Sequence, residues 1–167
     1  MDAFIEAIRA TQISESFRNQ VEWLWPLCES LHFLGLSLLI GAAGFFDLRL
    51  LGFMRGVSLR SAQRFVPFAI AGFLVNTVTG VIFFVSQPQQ YATNPSMWFK
   101  LLFLVVAGVN VLVFETTYRR RLLALPADAE MPLSAKVIGA ISLVSWFAVL
   151  YFGRMLPYLV PNPRSGV

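Results

Sequence analysis

The sequence has few of the residues that soluble domains and multi-ligand metal sites require. Among its 167 residues are one cysteine and one histidine, and only 13% are charged. A single cysteine excludes an intrachain disulfide and a cysteine-cluster metal site. The scarcity of charge excludes a soluble domain of this length. The chain is instead 57% hydrophobic, with a mean hydropathy of +0.67, which indicates a membrane protein.

Four apolar segments are each long enough to cross a hydrocarbon layer, which takes about 20 helical residues. They predict spans over residues 27–46, 65–86, 97–117 and 135–158. Each must be a helix, because lipid offers no partner for an unpaired backbone amide. The expected fold class is therefore all-α, an integral membrane up-and-down four-helix bundle formed by residues 21–160.

The two ends of the chain are set apart from this bundle. Residues 1–20 interleave apolar and charged side chains, which predicts a short N-terminal amphipathic helix that lies on the membrane or caps the bundle. We expect no signal peptide, because Asp2 and Glu6 interrupt the apolar core that one requires. Residues 161–167 form a C-terminal tail.

The basic residues between the spans predict an orientation. The first and third connections carry most of them, and in an up-and-down bundle these two connections share a side. By the positive-inside rule that side is cytoplasmic, so both termini are expected to be periplasmic in a bacterial inner membrane. The same positions indicate lipid contact and no nucleic-acid binding. They are Arg55, Arg60, Arg64, Arg119, Arg120, Arg121 and Lys136.

Ionisable residues inside the spans mark the candidate site, because they are costly to bury and normally face the protein interior. At about 100° per residue, Glu29 and His32 share one face of the first helix. Lys100 enters at a similar depth on the third helix, and Arg154 lies near the outer end of the fourth. We therefore expect these four residues to form one outer cluster.

Three interpretations of the outer cluster are open. In the first, His32 is the axial ligand of haem b, the two cations pair with its propionates, and Glu29 orients the histidine or moves protons. In the second, Glu29 and His32 belong to a carboxylate-bridged metal site completed by a second copy, or to a proton or metal-ion path with Asp47. In the third, Glu29 pairs with Lys100, His32 bonds a serine or a carbonyl, and the protein is a structural or assembly subunit without a cofactor.

The far end of the first span has its own ionisable residues, Asp47 and Arg49. Both lie close to the first connection. We expect them to cap the helix and to contact the loops rather than to bind a ligand.

Three stretches, "ESLHFLGLSLLIGAAGFFDLRLLG", "TVTGVIFF" and "YATNPSMWFKLLFLVVAGVN", resemble an uncharacterised family of small bacterial four-helix membrane proteins. The resemblance covers residues 23–158. The arrangement is also similar to CopD-type copper-resistance proteins and HemJ-type protoporphyrinogen oxidases, which pair an early intramembrane histidine with a Thr/Ser-Gly on the next helix and a lysine that opens the following one. The resemblance implies haem binding by His32 and Lys100, with Thr79 and Gly80 lining the pocket.

The single histidine limits how a haem would be held. HemJ-type proteins have more histidines, and bis-histidine ligation within one subunit is impossible in this chain. The iron would be five-coordinate, take Lys100 or Met97 as its second ligand, or lie between subunits, so we expect a homo-oligomer. The expected function is electron transfer or a haem-dependent membrane oxidoreductase, which implies a redox partner or a quinone.

Overall fold

The computed structural model describes residues 5–6 and 23–159, and this part of the chain is helical without β-strands. The helices are α1 (Leu24–Leu50), α2 (Leu59–Gln63), α3 (Val66–Ser86), α4 (Pro88–Ala92), α5 (Pro95–Val113), α6 (Arg119–Leu122) and α7 (Leu133–Met155), with a π-helical turn over Phe114–Tyr118. The predicted amphipathic helix, apart from residues 5–6, and the C-terminal tail lie outside the described residues.

Four helical segments are long and apolar enough to cross a membrane, which confirms the predicted all-α class with four spans. They are α1, α2 with α3, α5 through α6, and α7. Helix α1 extends beyond the predicted span at both ends, from Leu24 to Leu50. Helix α1 continues to Leu50 because Asp47 and Arg49 are packed inside the protein, where 4% and 0% of their surfaces are exposed.

Local sequence signals explain where the helices begin and end. Helix α5 starts at Asn94, whose side chain accepts a hydrogen bond from the backbone N–H of Ser96 at 2.9 Å, and Pro95 follows at the first helical position. Just beyond α1, Gly52 has a φ of +98°, a left-handed conformation that favours glycine and turns the chain away from the helix axis.

Helix α1 packs along α3, α5 packs along α7, and contact between α1 and α7 joins the two pairs. Glycines set the closest approaches. A Cβ atom on Gly72 would lie 2.5 Å from the carbonyl oxygen of Gly35 and 2.7 Å from the backbone nitrogen of Leu39. A Cβ atom on Gly139 would lie 2.8 Å from the carbonyl oxygen of Asp47. Small residues therefore allow the helix backbones to touch, as is common in membrane bundles.

Two clusters of buried apolar residues occupy the interior. The first lies toward the end of the bundle where the arginine-rich connections meet, which we call the arginine-rich end; it includes Phe46, Leu50, Phe114 and Ile138. The second lies further along the bundle, where Leu39, Ala42, Ala69, Ala107, Trp146 and Val149 pack together. Many large apolar side chains on the outward faces remain exposed, as a lipid-facing surface requires.

Candidate functional site

His32 lies about 12 Å along α1 from its first residue, at 1.5 Å per residue, and faces α3. Its Nδ1 atom is 2.7 Å from the Oγ1 atom of Thr79. The same hydroxyl is 2.7 Å from the carbonyl oxygen of Val75, to which it donates. A hydroxyl has only one proton; with that proton on the bond to Val75, the Thr79 oxygen accepts from His32, and we assign the imidazole proton to Nδ1. In this tautomer the other ring nitrogen, Nε2, has a free lone pair.

The imidazole ring of His32 lies beside an aromatic side chain, Phe83, and close to a glycine, Gly80. The centroid of Phe83 lies 5.4 Å from that of His32, and Trp25 lies 5.0 Å from Phe83 in turn. A Cβ atom on Gly80 would lie 4.0 Å from the Cε1 atom of His32. Within residues 23–159, no side chain or backbone group forms a hydrogen bond with Nε2. The imidazole is half-buried and oriented by one hydrogen bond. The lone pair of its Nε2 atom has no partner in the described part of the chain.

Lys100 lies within electrostatic range of His32, although it belongs to the other helix pair. It is half-buried, and its side chain runs over Gly153 of α7. A Cβ atom at that glycine would lie 3.8 Å from Nζ. The grouping of Lys100 with His32 in one cofactor site stays a prediction. Gly153 is the residue that leaves space for the lysine.

Glu29 does not bond His32 and does not pair with Lys100 in the part of the chain that the structure describes. Its side chain is exposed and accepts a hydrogen bond from the Nε1 atom of Trp25 at 2.9 Å. Thr79 orients the histidine instead, and the described ion pairs do not include one between Glu29 and Lys100. Burial and then the negative charge of Glu29 raise the pKa of Tyr91, so the carboxylate lies close to the short helix α4.

Arg154 lies at the same end of the bundle but makes a local contact. Its guanidinium is exposed, 3.5 Å from the hydroxyl of Tyr158, and its Cζ atom lies 5.6 Å from the centre of that ring. Asn94 closes this end: its Nδ2 atom donates to the carbonyl oxygen of Leu156 at 2.8 Å. The expected outer cluster therefore divides: His32 bonds Thr79, Lys100 lies against Gly153, and Glu29 and Arg154 contact their own sequence neighbours.

The opposite end of α1 has the loop contacts that we expected. The Nε atom of Arg49 donates to the carbonyl oxygen of Val57 at 2.6 Å, and its Nη2 atom donates to that of Ala127 at 2.7 Å. These carbonyls belong to the first and third connections, so one arginine ties together two loops of the arginine-rich end. Asp47 lies near Ser142 of α7, and its Oδ2 atom has no hydrogen-bond partner in the described part of the chain.

The arrangement can offer one nitrogen ligand to a metal, but it does not form a metal cage. Among residues 5–6 and 23–159, no group of three histidine, cysteine, aspartate or glutamate side chains is placed to hold an ion. The carboxylate-bridged alternative, which a second copy would complete, stays a prediction. A groove of about 720 Å³ lies between α5 and α7 and contains none of the predicted site residues.

Comparison with family models, with curated proteins and with solved structures finds no match to this chain. The resemblance to small bacterial four-helix membrane proteins therefore stays a prediction from the sequence.

Proposed function

We propose that this protein is an integral membrane b-type haem protein in which the Nε2 atom of His32 is an axial ligand. Its function would be electron transfer or porphyrin-linked redox chemistry. The proposal rests on one observation, the 2.7 Å contact between Nδ1 of His32 and the hydroxyl of Thr79, in which we assign Nδ1–H as the donor. Histidines that bind metals characteristically donate their other ring N–H to an oxygen atom, which fixes the ring and makes the ligating nitrogen more basic.

The residues around Nε2 are compatible with a haem. Gly80 and Phe83 present a small residue and an aromatic face beside the ring, and Lys100 supplies a cation within electrostatic range. Lys100, with the exposed Arg154 at the rim, would bind the propionates by charge-assisted hydrogen bonds. When bound, haem supplies a one-electron redox centre whose potential depends on its axial ligands and on burial.

We also propose a location and an assembly for the protein. The location follows from the basic residues, and the assembly from the single histidine. The arginine-rich end would face the cytoplasm of a bacterium and both termini the periplasm. The second axial position would be empty, be taken by Lys100 or Met97, or be filled from a second copy in a homo-oligomer. A redox partner or a quinone would exchange electrons with the centre.

The transporter alternative has less support because the middle of the bundle is apolar. A path from His32 to Asp47 along α1 would pass Leu39 and Ala42, which are buried in an apolar cluster. It would also pass the direct backbone contact between Gly35 and Gly72. Asn76 is the polar side chain at that contact, and its Nδ2 atom already donates to the carbonyl oxygen of Gly72 in its own helix at 2.9 Å.

The decisive test is an optical spectrum of protein purified in detergent after expression with haem precursor, before and after dithionite. We expect a Soret band that shifts on reduction, and no band in His32→Leu. A wild-type protein without Soret absorption after haem reconstitution would reject the proposal and favour a structural subunit.

A second variant tests the role assigned to Thr79. Thr79→Val removes the acceptor of the Nδ1 proton but keeps the shape of the side chain, and we expect about 10–100-fold weaker haem binding. Thr79→Ser keeps the hydroxyl and serves as the matched control, with binding close to that of wild type. Equal haem affinity in both variants would show that the bond does not support ligation.

A further inference from the structure

A long apolar groove of about 720 Å³ runs between α5 and α7. Its walls include Val105, Val109 and Val137, all of them exposed on the outside of the bundle. Beneath them Asn110 is buried and donates to the carbonyl oxygen of Ile138 at 3.1 Å, which joins the two helices. The volume lies in the range of about 300–1,000 Å³ that is usual for small-molecule sites.

The groove is somewhat longer than the hydrocarbon layer of one bilayer leaflet is thick. From Val105 to Tyr118 the groove extends for roughly 20 Å at 1.5 Å per residue. Half of a hydrocarbon core is about 15 Å thick. An acyl chain that started at the arginine-rich end would therefore follow the groove as far as the bilayer midplane.

The groove changes from apolar to polar at the arginine-rich end. The π-helical turn adds one residue to the helix there, so Tyr118 rather than residue 117 continues the groove-facing stripe after Val113. Arg121 follows three residues later on the same face and is exposed. Ser134 lines the groove across from them, in the first turn of α7, which begins without a side-chain cap.

We propose that this groove is a binding site for one anionic phospholipid. The acyl chain lies along the valine walls, and the phosphate lies between Arg121 and Ser134. Apolar walls and a cationic end are complementary to this ligand, whereas a zwitterionic lipid would have less favourable charge interactions at the arginine. The site is independent of haem binding, since it shares no residue with the His32 site.

The proposal is tested with delipidated protein in detergent, titrated with dioleoylphosphatidylglycerol or dioleoylphosphatidylcholine and followed by native mass spectrometry. We expect one phosphatidylglycerol to be retained at lipid concentrations where phosphatidylcholine is not. Arg121→Gln should weaken that binding about fivefold, the effect of one arginine at an anionic surface. Arg60→Gln, which removes an exposed charge from the same end but outside the groove, is the control and should bind as wild type does.

A second pair of variants tests the apolar walls. Val109→Trp fills the groove and should abolish retention, whereas Val144→Trp places the same bulk on an exposed position of α7 outside the groove and should not. Equal retention of the two lipids would overturn the proposal, and so would retention unchanged by both Arg121→Gln and Val109→Trp. A dimeric wild type that Val109→Trp converts to monomer would also overturn it, because a second copy would then occupy the groove.

Discussion

Helix α1 has two polar clusters, Asp47 with Arg49 near its end and His32 nearer its start, and they use their hydrogen-bonding groups differently. At the arginine-rich end, Arg49 is completely buried and donates to two loop carbonyls. Toward the other end, His32 is half-buried and makes one hydrogen bond, to Thr79. In the first cluster, the arginine donates to backbone carbonyl groups of two different loops, which lie close together only in the folded protein. Each cluster leaves a nitrogen without a hydrogen-bond partner in the described part of the chain, Nη1 of Arg49 in the first and Nε2 of His32 in the second, but two bonds hold Arg49 and one holds His32.

This difference separates a structural from a functional use of polar residues in a membrane. A buried group bonded to the protein on several sides contributes to the position of its neighbours, and removing it leaves their polar atoms unpaired. A group oriented by a single bond, with its reactive atom free, contributes little to folding and is available to a ligand. Stability measurements and ligand binding should therefore respond to different residues.

The largest effect on stability should come from Arg49→Met. The substitution removes two charge-assisted hydrogen bonds, each worth about 1.5–3 kcal/mol. It also removes the cost of burying a charge. We therefore expect the free energy of unfolding to fall by about 3 kcal/mol, near the lower end of the sum for the two bonds. Reversible unfolding in mixed detergent micelles measures it.

The control for this prediction is Arg60→Met, which removes an exposed arginine from the same end of the bundle. We expect a change within about 0.5 kcal/mol, as is usual for surface positions. If both variants lose the same stability, the effect arises from net charge and not from the two loop contacts.

The next largest effect should come from Gly72→Ala. The new Cβ atom would lie 2.5 Å from the carbonyl oxygen of Gly35, so α1 and α3 must separate. We expect a loss of about 1–3 kcal/mol, typical of overpacking, together with weaker haem binding because His32 and Thr79 lie on the separated helices.

Gly41→Ala is the matched control, since a Cβ atom there meets nothing within 4 Å. It should be neutral or slightly stabilising, by up to about 1 kcal/mol, because alanine is the better helix former. A wild-type stability in Gly72→Ala would contradict the close approach of the two helices.

Much of the fold could be predicted from the sequence, because lipid permits only apolar helices of a certain length and helical spacing shows which residues share a face. That reasoning put Glu29 and His32 on one face of α1 and placed Lys100 at a similar depth on the third span. Spacing does not show which helices are neighbours. The direct contact of Gly35 with Gly72 was therefore not foreseen, nor was the choice of Thr79 over Glu29 as the partner of His32.

Loop contacts were harder to predict for a related reason. The carbonyl groups that Arg49 binds, at Val57 and Ala127, belong to connections 8 and 78 residues away in the sequence. Every residue has a carbonyl group, so the sequence has no signal for which ones an arginine will reach. The same holds for the bond from Asn94 to the carbonyl oxygen of Leu156, which closes the opposite end of the bundle.

A smaller effect on stability is expected for His32→Leu, although this variant should lose haem completely. It removes one hydrogen bond, worth about 1 kcal/mol, from a half-buried position. The contribution of this hydrogen bond is measured by unfolding the haem-free proteins, because bound haem would stabilise wild type alone. A loss as large as that of Arg49→Met would place His32 among the structural residues.

The smallest effect should come from Asp47→Asn, although Asp47 is as deeply buried as the structural arginine two residues away. The described ion pairs do not include one between Asp47 and Arg49, whose Nε and Nη2 atoms are directed to the loops. An amide keeps the contact with Ser142 and has the same size as the carboxyl group, so we expect a change below about 1 kcal/mol in the same unfolding assay. Asp47→Leu, which leaves Ser142 without that contact, should be more damaging. If the amide proves as destabilising as Arg49→Met, the aspartate charge itself supports the arginine, and the two residues must be treated as one unit.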